Sequence, residues 1–349
     1  MPDQLLPVPQ VTVVTGAAGW LGQALVARLA ADPARERLRL LVRSIAEQRL
    51  LTERLAGRPG VEIVVGDISR VDTARRLLHE VSRDAHVLHT AGIIHPRRMR
   101  EFVEVNAHGS RHIAEAALDH GVQRTVHVSS NSPFGTNPDP LDVFRGDEPY
   151  NPYLGYGRSK MHAELAVLDA HRRGLDAVIV RPPWFYGPYQ PARQTSFFRL
   201  VRGGRFPVIG GGEQRRSMVF VENLVDGILA ASLTPGIGGR GYWIADSRPY
   251  TVNEIVETVG RALSAEGLEV TPNSTRLPTV AARIAETGDR VLQTLGLYQQ
   301  QLHVLGEMGH TIACDISSAT TDLGYRPAVE LFDGMRRSIR WCIDQGLEL

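Results

Sequence analysis

One junction near the N-terminus constrains the fold of this chain more than any other feature. The β-branched run Val11 to Thr15 breaks into Gly16-Ala17-Ala18-Gly19-Trp20-Leu21-Gly22, and Leu21 to Ala31 then carries helical periodicity. Glycines at such a turn fold the backbone tightly, admit a ligand where a Cβ would stand, and let the helix pack close to the strand. The unpaired N–H groups of the helix's first turn favour an anion. Strand, glycine spacing and helix together point to a dinucleotide pyrophosphate.

The rest of the first half repeats that alternation. Strand-like runs recur at Arg39 to Val42, Val61 to Val65, Ala85 to His89, Thr125 to Ser129 and Ala177 to Val180, separated by helix-length segments. Such spacing gives parallel β-α-β units, hence an α/β fold with a Rossmann-type doubly wound parallel sheet. One long helical segment is expected at about Met99 to His120 and another from Tyr156 to about Arg173. After Arg181-Pro182-Pro183 the texture changes to prolines, glycines and aromatics, and from Val252 it is mainly helical with Pro-bearing breaks. The expected organisation is a dinucleotide-binding domain of residues 1–183 and 217–247. A smaller, mainly helical C-terminal substrate lobe takes residues 184–216 and 248–349.

Composition excludes several classes. A formal charge of +1 over 349 residues gives no electrostatic case for nucleic acid or a membrane surface, and basic pairs such as Arg97-Arg98 read as solvated faces. Two cysteines, Cys314 and Cys342, build neither a disulfide framework nor a thiolate metal site. The first ten residues lack a basic leader region, and no apolar run approaches the ~18–20 residues of a membrane span. The expectation is a cytoplasmic protein with no membrane span. His108 and His112 have a chelating spacing but no evident third ligand, so no metal site is expected. His86, His89 and His127 on strands read as packed core residues, whereas His95 follows a strand end and borders the candidate substrate region.

The second strand ends in Val42-Arg43-Ser44, where a carboxylate would bind a free ribose 2′-hydroxyl. An arginine there suits a 2′-phosphate, which favours NADP over NAD; the alternative is a surface arginine stacking on adenine. Asp67, just past the third strand, is placed to meet the adenine amino group.

Val128-Ser129-Ser130-Asn131-Ser132 follows the fifth strand at the carboxyl edge of the sheet, where open α/β folds bind ligands. Tyr156 lies 26 residues beyond Ser130, and Lys160 lies one helical turn after it. An ammonium beside a phenol stabilises the phenolate. Bringing a tyrosine from ~10 to neutral pH takes roughly 3–4 kcal/mol of such stabilisation. A hydroxyl donor, an activated phenol and an ammonium beside a nicotinamide are what carbonyl reduction needs.

With these residues assembled, the chain resembles an extended short-chain dehydrogenase/reductase of the NAD-dependent epimerase/dehydratase superfamily. The resemblance is carried by G-A-A-G-W-L-G, G-D-I, T-A-G, N-A-H-G-S, S-S-N-S-P-F-G, Y-G-R-S-K and R-P-P-W-F-Y-G-P. It implies Tyr156 as general acid/base, Lys160 as its activator and nicotinamide-ribose anchor, and Ser130 as the oxygen-orienting donor, with Ser129 and Ser132 as alternatives. A cofactor site is implied from Gly16, Ala18, Gly19, Trp20, Leu21, Arg43, Asp67, Ile68, Thr90, Ala91, Gly92, Tyr156, Lys160 and Pro183. A substrate site is implied from Ser130, Asn131, Ser132, His95, Trp184, Phe185 and Arg216. A homodimer through the helices around 99–120 and 155–173 is also implied.

Departures from the family pattern narrow the reaction. Dehydratases of the family place Asp-Glu where this chain has Asn131-Ser132, so water elimination lacks its acid and base. Sugar-nucleotide epimerases carry an Asn where Trp184 stands and a second phosphate-binding arginine where Glu307-Met308-Gly309-His310 stands, although Arg216 matches their diphosphate arginine. The C-terminal stretches are similar to the 3β-hydroxysteroid/sterol dehydrogenase branch, whose substrates are apolar alcohols and ketones. Trp184, Phe185, Tyr186, Phe197 and Phe198 suit the wall of such a pocket, or alternatively plain lobe core. The leading expectation is an NAD(P)-dependent oxidoreductase interconverting a secondary alcohol and a ketone. The alternatives are a nucleotide-sugar 4-epimerase or 4-ketoreductase, and a dinucleotide-sensing protein, which has no need of Ser130, Tyr156 and Lys160 together.

Overall fold

The computed structural model describes residues 5–349; the first four residues, part of the stretch read above for a leader, lie outside the described residues. The chain runs β1 (Val11–Thr15), α1 (Trp20–Ala31), β2 (Arg37–Val42), α2 (Ile45–Arg54), β3 (Val61–Val65), α3 (Val71–Leu78) and β4 (His86–His89). A π-helical turn, Phe102–His108, continues into α4 (Gly109–His120), followed by β5 (Arg124–Val128), α5 (Leu154–Arg172) and β6 (Ala177–Arg181). Next come β7 (Trp184–Tyr186), α6 (Thr195–Arg202), β8 (Pro207–Ile209), β9 (Arg215–Arg216), β10 (Met218–Phe220), α7 (Val221–Leu233) and β11 (Gly241–Trp243). The last elements are β12 (Tyr250–Thr251), α8 (Val252–Ala265), β13 (Thr275–Leu277), α9 (Thr279–Thr294), α10 (Gln300–Glu307), α11 (Ser317–Leu323) and α12 (Leu331–Asp344).

Seven parallel strands form the central sheet in the order β11-β6-β5-β4-β1-β2-β3. Its interior strands are buried on both faces because helices cover both. Val14, Leu40, Val126 and Val178 pack with α1 and α7 on one side, and Val13, Val87, Ala177 and Ile179 pack with α3, α4 and α5 on the other. The winding reverses between β1 and β4, which opens a crevice at their carboxyl ends.

A separate aromatic core gathers Phe198, Phe206, Phe220, Tyr250, Leu331 and Met335 beneath α6, α8 and α12. It is braced by two-stranded pairs β7–β10, β9–β12 and β8–β13. Met218 and Phe220, within the segment 217–247 assigned above to the sheet domain, lie in this second core. Ala319 and Tyr325, from the C-terminal segment, pack instead with α7 and the sheet. The helical hairpin α9–α10 lies against the start of α5. No helix among the described residues is long and apolar enough to cross a membrane.

Candidate active site

The glycine loop between β1 and α1 is closed by geometry that only glycine allows. Gly16 has φ +68°, and a Cβ there would stand 2.8 Å from the backbone of Ala91. A Cβ on Gly22 would stand 2.0 Å from the Gly16 carbonyl oxygen, so α1 presses directly on the turn. The cap residue Gly19 supplies no side chain and the first turn of α1 holds no acid, which leaves its N–H groups facing the crevice unclaimed by side chains. Across the crevice, Thr90 Oγ1 donates to the Thr15 carbonyl at 2.7 Å and the Ala91 N–H donates to Thr15 Oγ1 at 3.2 Å. Asn106 donates to the Ile93 carbonyl at 3.0 Å and to Ser159 Oγ at 3.0 Å, tying the Thr90–Gly92 loop to α5.

The residues expected at the adenine end also line this edge. Asp67 is exposed, with one oxygen holding the Ser69 N–H at 2.9 Å and the other oxygen open. Ile68 is buried where a Cβ on Gly109 would touch it at 3.0 Å. Arg43 extends from the end of β2, 77% exposed, with Glu47 3.6 Å away. Trp20 donates through Nε1 to the Pro188 carbonyl at 2.8 Å and packs at a tilt on Phe185, ring centroids 4.5 Å apart; Pro183 is buried. This cradle, open at the helix end and too tight for side chains at the turn, fits a dinucleotide.

At the next strand end, Ser130 is buried and bonded to Asn131 Oδ1 at 3.3 Å and to Ser132 Oγ at 3.2 Å. Tyr156 and Lys160 lie on the face of α5 that turns towards β5. Burial pushes the Tyr156 phenol up to about 12; Ser130 opposes that shift and Glu307 reinforces it. Lys160, one turn along the helix, donates Nζ to the Val128 carbonyl at 2.8 Å and is itself pushed down to about 8 by burial, against Glu164.

The substrate side is more aromatic than the sequence indicated. Phe102 packs on Tyr156 at 5.7 Å and edge-on against Tyr298 at 5.8 Å, and His95 stacks on Tyr298 at 6.3 Å. Burial, then Arg193, then His303 push His95 down to about 4, so it is neutral at physiological pH. Arg216 is pulled inward and donates to the Glu307 carbonyl. Trp184, Tyr186, Phe197 and Phe198 surround a small cavity with Met218 and Met335, with Trp184 and Phe197 5.2 Å apart. Phe185 does not line that cavity but packs on Trp20, which does.

Several residues of the site were not foreseen. Buried Asp289 of α9 accepts from Tyr153 Oη at 3.2 Å and from His303 at 2.9 Å, and Gln293 accepts from the Gly155 N–H at 3.2 Å. The hairpin is thus bonded to the first turn of α5, where Leu154 adopts φ +48°, a conformation costly for a leucine. One signal was available in the sequence: Lys160 is the sole lysine in the chain, and the other 38 of its 39 Lys and Arg residues are arginines. Among the described residues there is no group of three metal-ligating side chains.

The model of the NAD dependent epimerase/dehydratase family matches residues 12–244. An uncharacterized protein, y4nL, of Sinorhizobium fredii is 42% identical over 350 residues, covering 96% of each chain. A 4-hydroxy-2-methyl-3-oxo-4-farnesyl-3,4-dihydroquinoline-1-oxide ketoreductase of Stigmatella aurantiaca is 30% identical over 277 residues, 78% of each chain. The crystal structure of UDP-glucuronic acid 4-epimerase from Bacillus cereus in complex with NAD is similar with a TM-score of 0.74, covering 97% of this chain and 100% of that one. At 22% identity that likeness shows the fold.

Proposed function

The chain belongs to the NAD-dependent epimerase/dehydratase family, and from that membership we propose that it is a ketoreductase, reducing an apolar ketone to a secondary alcohol with NADPH. The observation that carries this reading is the meeting of Ser130, Tyr156 and Lys160 beside the aromatic wall of Phe102 and Tyr298, without the acidic pair that elimination needs. The likeness to a ketoreductase of a farnesylated quinoline supports the same class of substrate.

A reduced nicotinamide held against the glycine loop of Gly16 and Gly19 would supply the hydride. Tyr156, held protonated at neutral pH by its burial, donates its proton to the carbonyl oxygen. Ser130 hydrogen-bonds that oxygen and steadies the charge it gains. Lys160, as an ammonium fixed on the Val128 carbonyl, offsets the phenolate that Tyr156 becomes. A buried ammonium that titrates near about 8 gives this chemistry an alkaline limit. Lys160 is charged below that pH and loses its proton above it, so reduction falls as pH rises through it.

Residues 184–216 and 248–349 supply the substrate side in this reading, and a homodimer would cover the face carrying Val103 and Leu165, apolar side chains 44% and 41% exposed. The preference for NADPH rests on Arg43, whose carboxylate neighbour Glu47 leaves room for a second anion at its exposed guanidinium. Arg43→Ala should raise the Michaelis constant for NADPH about tenfold to a hundredfold, the ~1.5–3 kcal/mol of a charge-assisted contact. The constant for NADH should stay within about twofold. Equal losses for both cofactors would remove the argument.

A nucleotide-sugar 4-epimerase or 4-ketoreductase is the competing reading, favoured by Arg216 in the cleft. Thermal shift of the protein with NADP⁺ separates the two. Stabilisation by long-chain ketones or hydroxysteroids, and none by uridine or thymidine diphosphate, is expected. Stabilisation by a nucleoside diphosphate alone would reverse the choice.

A further inference from the structure

Behind the lysine lies a buried charge that the reaction above does not use. Tyr156, Lys160 and Glu164 succeed one another at four-residue intervals along one face of α5. Glu164 is fully buried and held by three donors: Tyr150 Oη at 2.8 Å, Arg181 Nη2 at 2.8 Å and Arg181 Nε at 3.2 Å. Arg181 is fixed in turn by the Gly146 carbonyl at 2.9 Å and by the Phe134 ring, 4.4 Å from its guanidinium.

We propose that Glu164, clamped by Arg181 and Tyr150 one helical turn beyond Lys160, is a positioning residue that sustains the positive charge of Lys160, whose place is held by the Val128 carbonyl. Its catalytic consequence rests on the reading of Tyr156 and Lys160 given above; the charge itself does not. Lys160 is 4% exposed, so an ammonium there has lost its water and needs a counter-charge. The titratable groups facing it from the sheet cannot provide one. His89 on β4, bonded to Thr15 Oγ1 and Ser110 Oγ, is pushed down to about 3 by burial and then by Lys160. His127 on β5 is driven well below the usual histidine range by burial, Lys160 and His89. Tyr150 and Tyr156 are raised and stay neutral. Glu164 is the carboxylate acting on Lys160, and Arg181 on β6 is the neighbouring cation.

Lysine and arginine respond differently to the loss of that carboxylate. A guanidinium keeps its charge at any working pH, whereas an amine takes or gives a proton according to its surroundings. Glu164→Gln leaves two buried cations without a carboxylate between them. Of the two, only Lys160 can shed its charge.

The sole lysine makes the test direct. The full-length protein labelled with ¹³Cε-lysine gives one side-chain resonance from Lys160, titrated by NMR beside the pH profile of ketone reduction. In Glu164→Gln the Lys160 midpoint should fall by about one pH unit or more, and the alkaline limb of kcat should move down with it. Tyr150→Phe removes a neutral donor but no charge, and should leave the midpoint within about 0.3 units while lowering the melting temperature. Should Glu164→Gln not fold, Glu164→Asp keeps the charge but withdraws it by one methylene, and a smaller fall is expected. An unmoved midpoint in the folded variant overturns the proposal, as does an equal shift in Tyr150→Phe. A midpoint that falls in a protein reducing no ketone upholds Glu164 and sinks the activity; an active enzyme with an unmoved midpoint does the reverse.

Discussion

Tyr156→Phe should abolish ketone reduction, lowering kcat by about 10³-fold or more while NADPH binding changes less than about twofold. The phenol lies beside Ser130, and burial keeps its proton on the oxygen. Removing it takes away the proton donor and leaves the ring against Phe102, 5.7 Å away, so the packing survives. The crevice of Gly16, Gly19 and the first turn of α1 is untouched, which is why cofactor binding should persist. Turnover retained within tenfold would show that another group supplies the proton.

Lys160→Met should be nearly as severe, with kcat lower by about 10²- to 10³-fold. Methionine matches the unbranched stem and brings no charge into a site that is 4% exposed, so the fold should hold. Two functions are lost. The phenolate formed at Tyr156 no longer has an ammonium beside it, and the Val128 carbonyl loses a donor at 2.8 Å. The pH profile gives the sign. In the parent protein reduction is constant below the Lys160 titration and falls above about pH 8 as the ammonium is lost. In Lys160→Met that limb should disappear, because the group responsible is gone. A limb that survives unchanged would assign it to some other residue.

The comparison of sequence with structure divides along physical lines. The sheet was readable because its strands are β-branched runs bounded by turns: fully buried Val11–Thr15 and the half-buried edge strand Val61–Val65 both fall where those runs end. The segment Phe102–His108 has helical composition, but its π geometry is set by the loop that Asn106 clamps, which no periodicity reports. The aromatic strand Trp184–Tyr186 exists because Met218–Phe220 pairs with it, a partner some thirty residues away. In the candidate site, the glycine loop and Ser130 follow directly on strand ends and Tyr156 and Lys160 share one helical turn, so sequence offsets alone single them out. Asp289, Gln293, Tyr298 and His303 carry no such signal, since the hairpin reaches α5 across more than 130 residues. Glu164 stood one more turn along the same face as Tyr156 and Lys160, yet only the bonds from Arg181 and Tyr150 give it meaning. The spacing of Tyr156 and Lys160 carries no information about burial, which pushes the phenol up.

Deuterium tracing tests the central claim most directly. The purified protein is given NADPH carrying deuterium at C4 of the nicotinamide, with a series of long-chain alkyl and prenyl ketones, and the products are analysed by mass spectrometry. The account predicts a secondary alcohol bearing one deuterium on its carbinol carbon, formed by the parent protein and absent with Tyr156→Phe. Cofactor left unoxidised by every ketone, together with 4-epimerisation of a nucleotide sugar without net redox change, would contradict it.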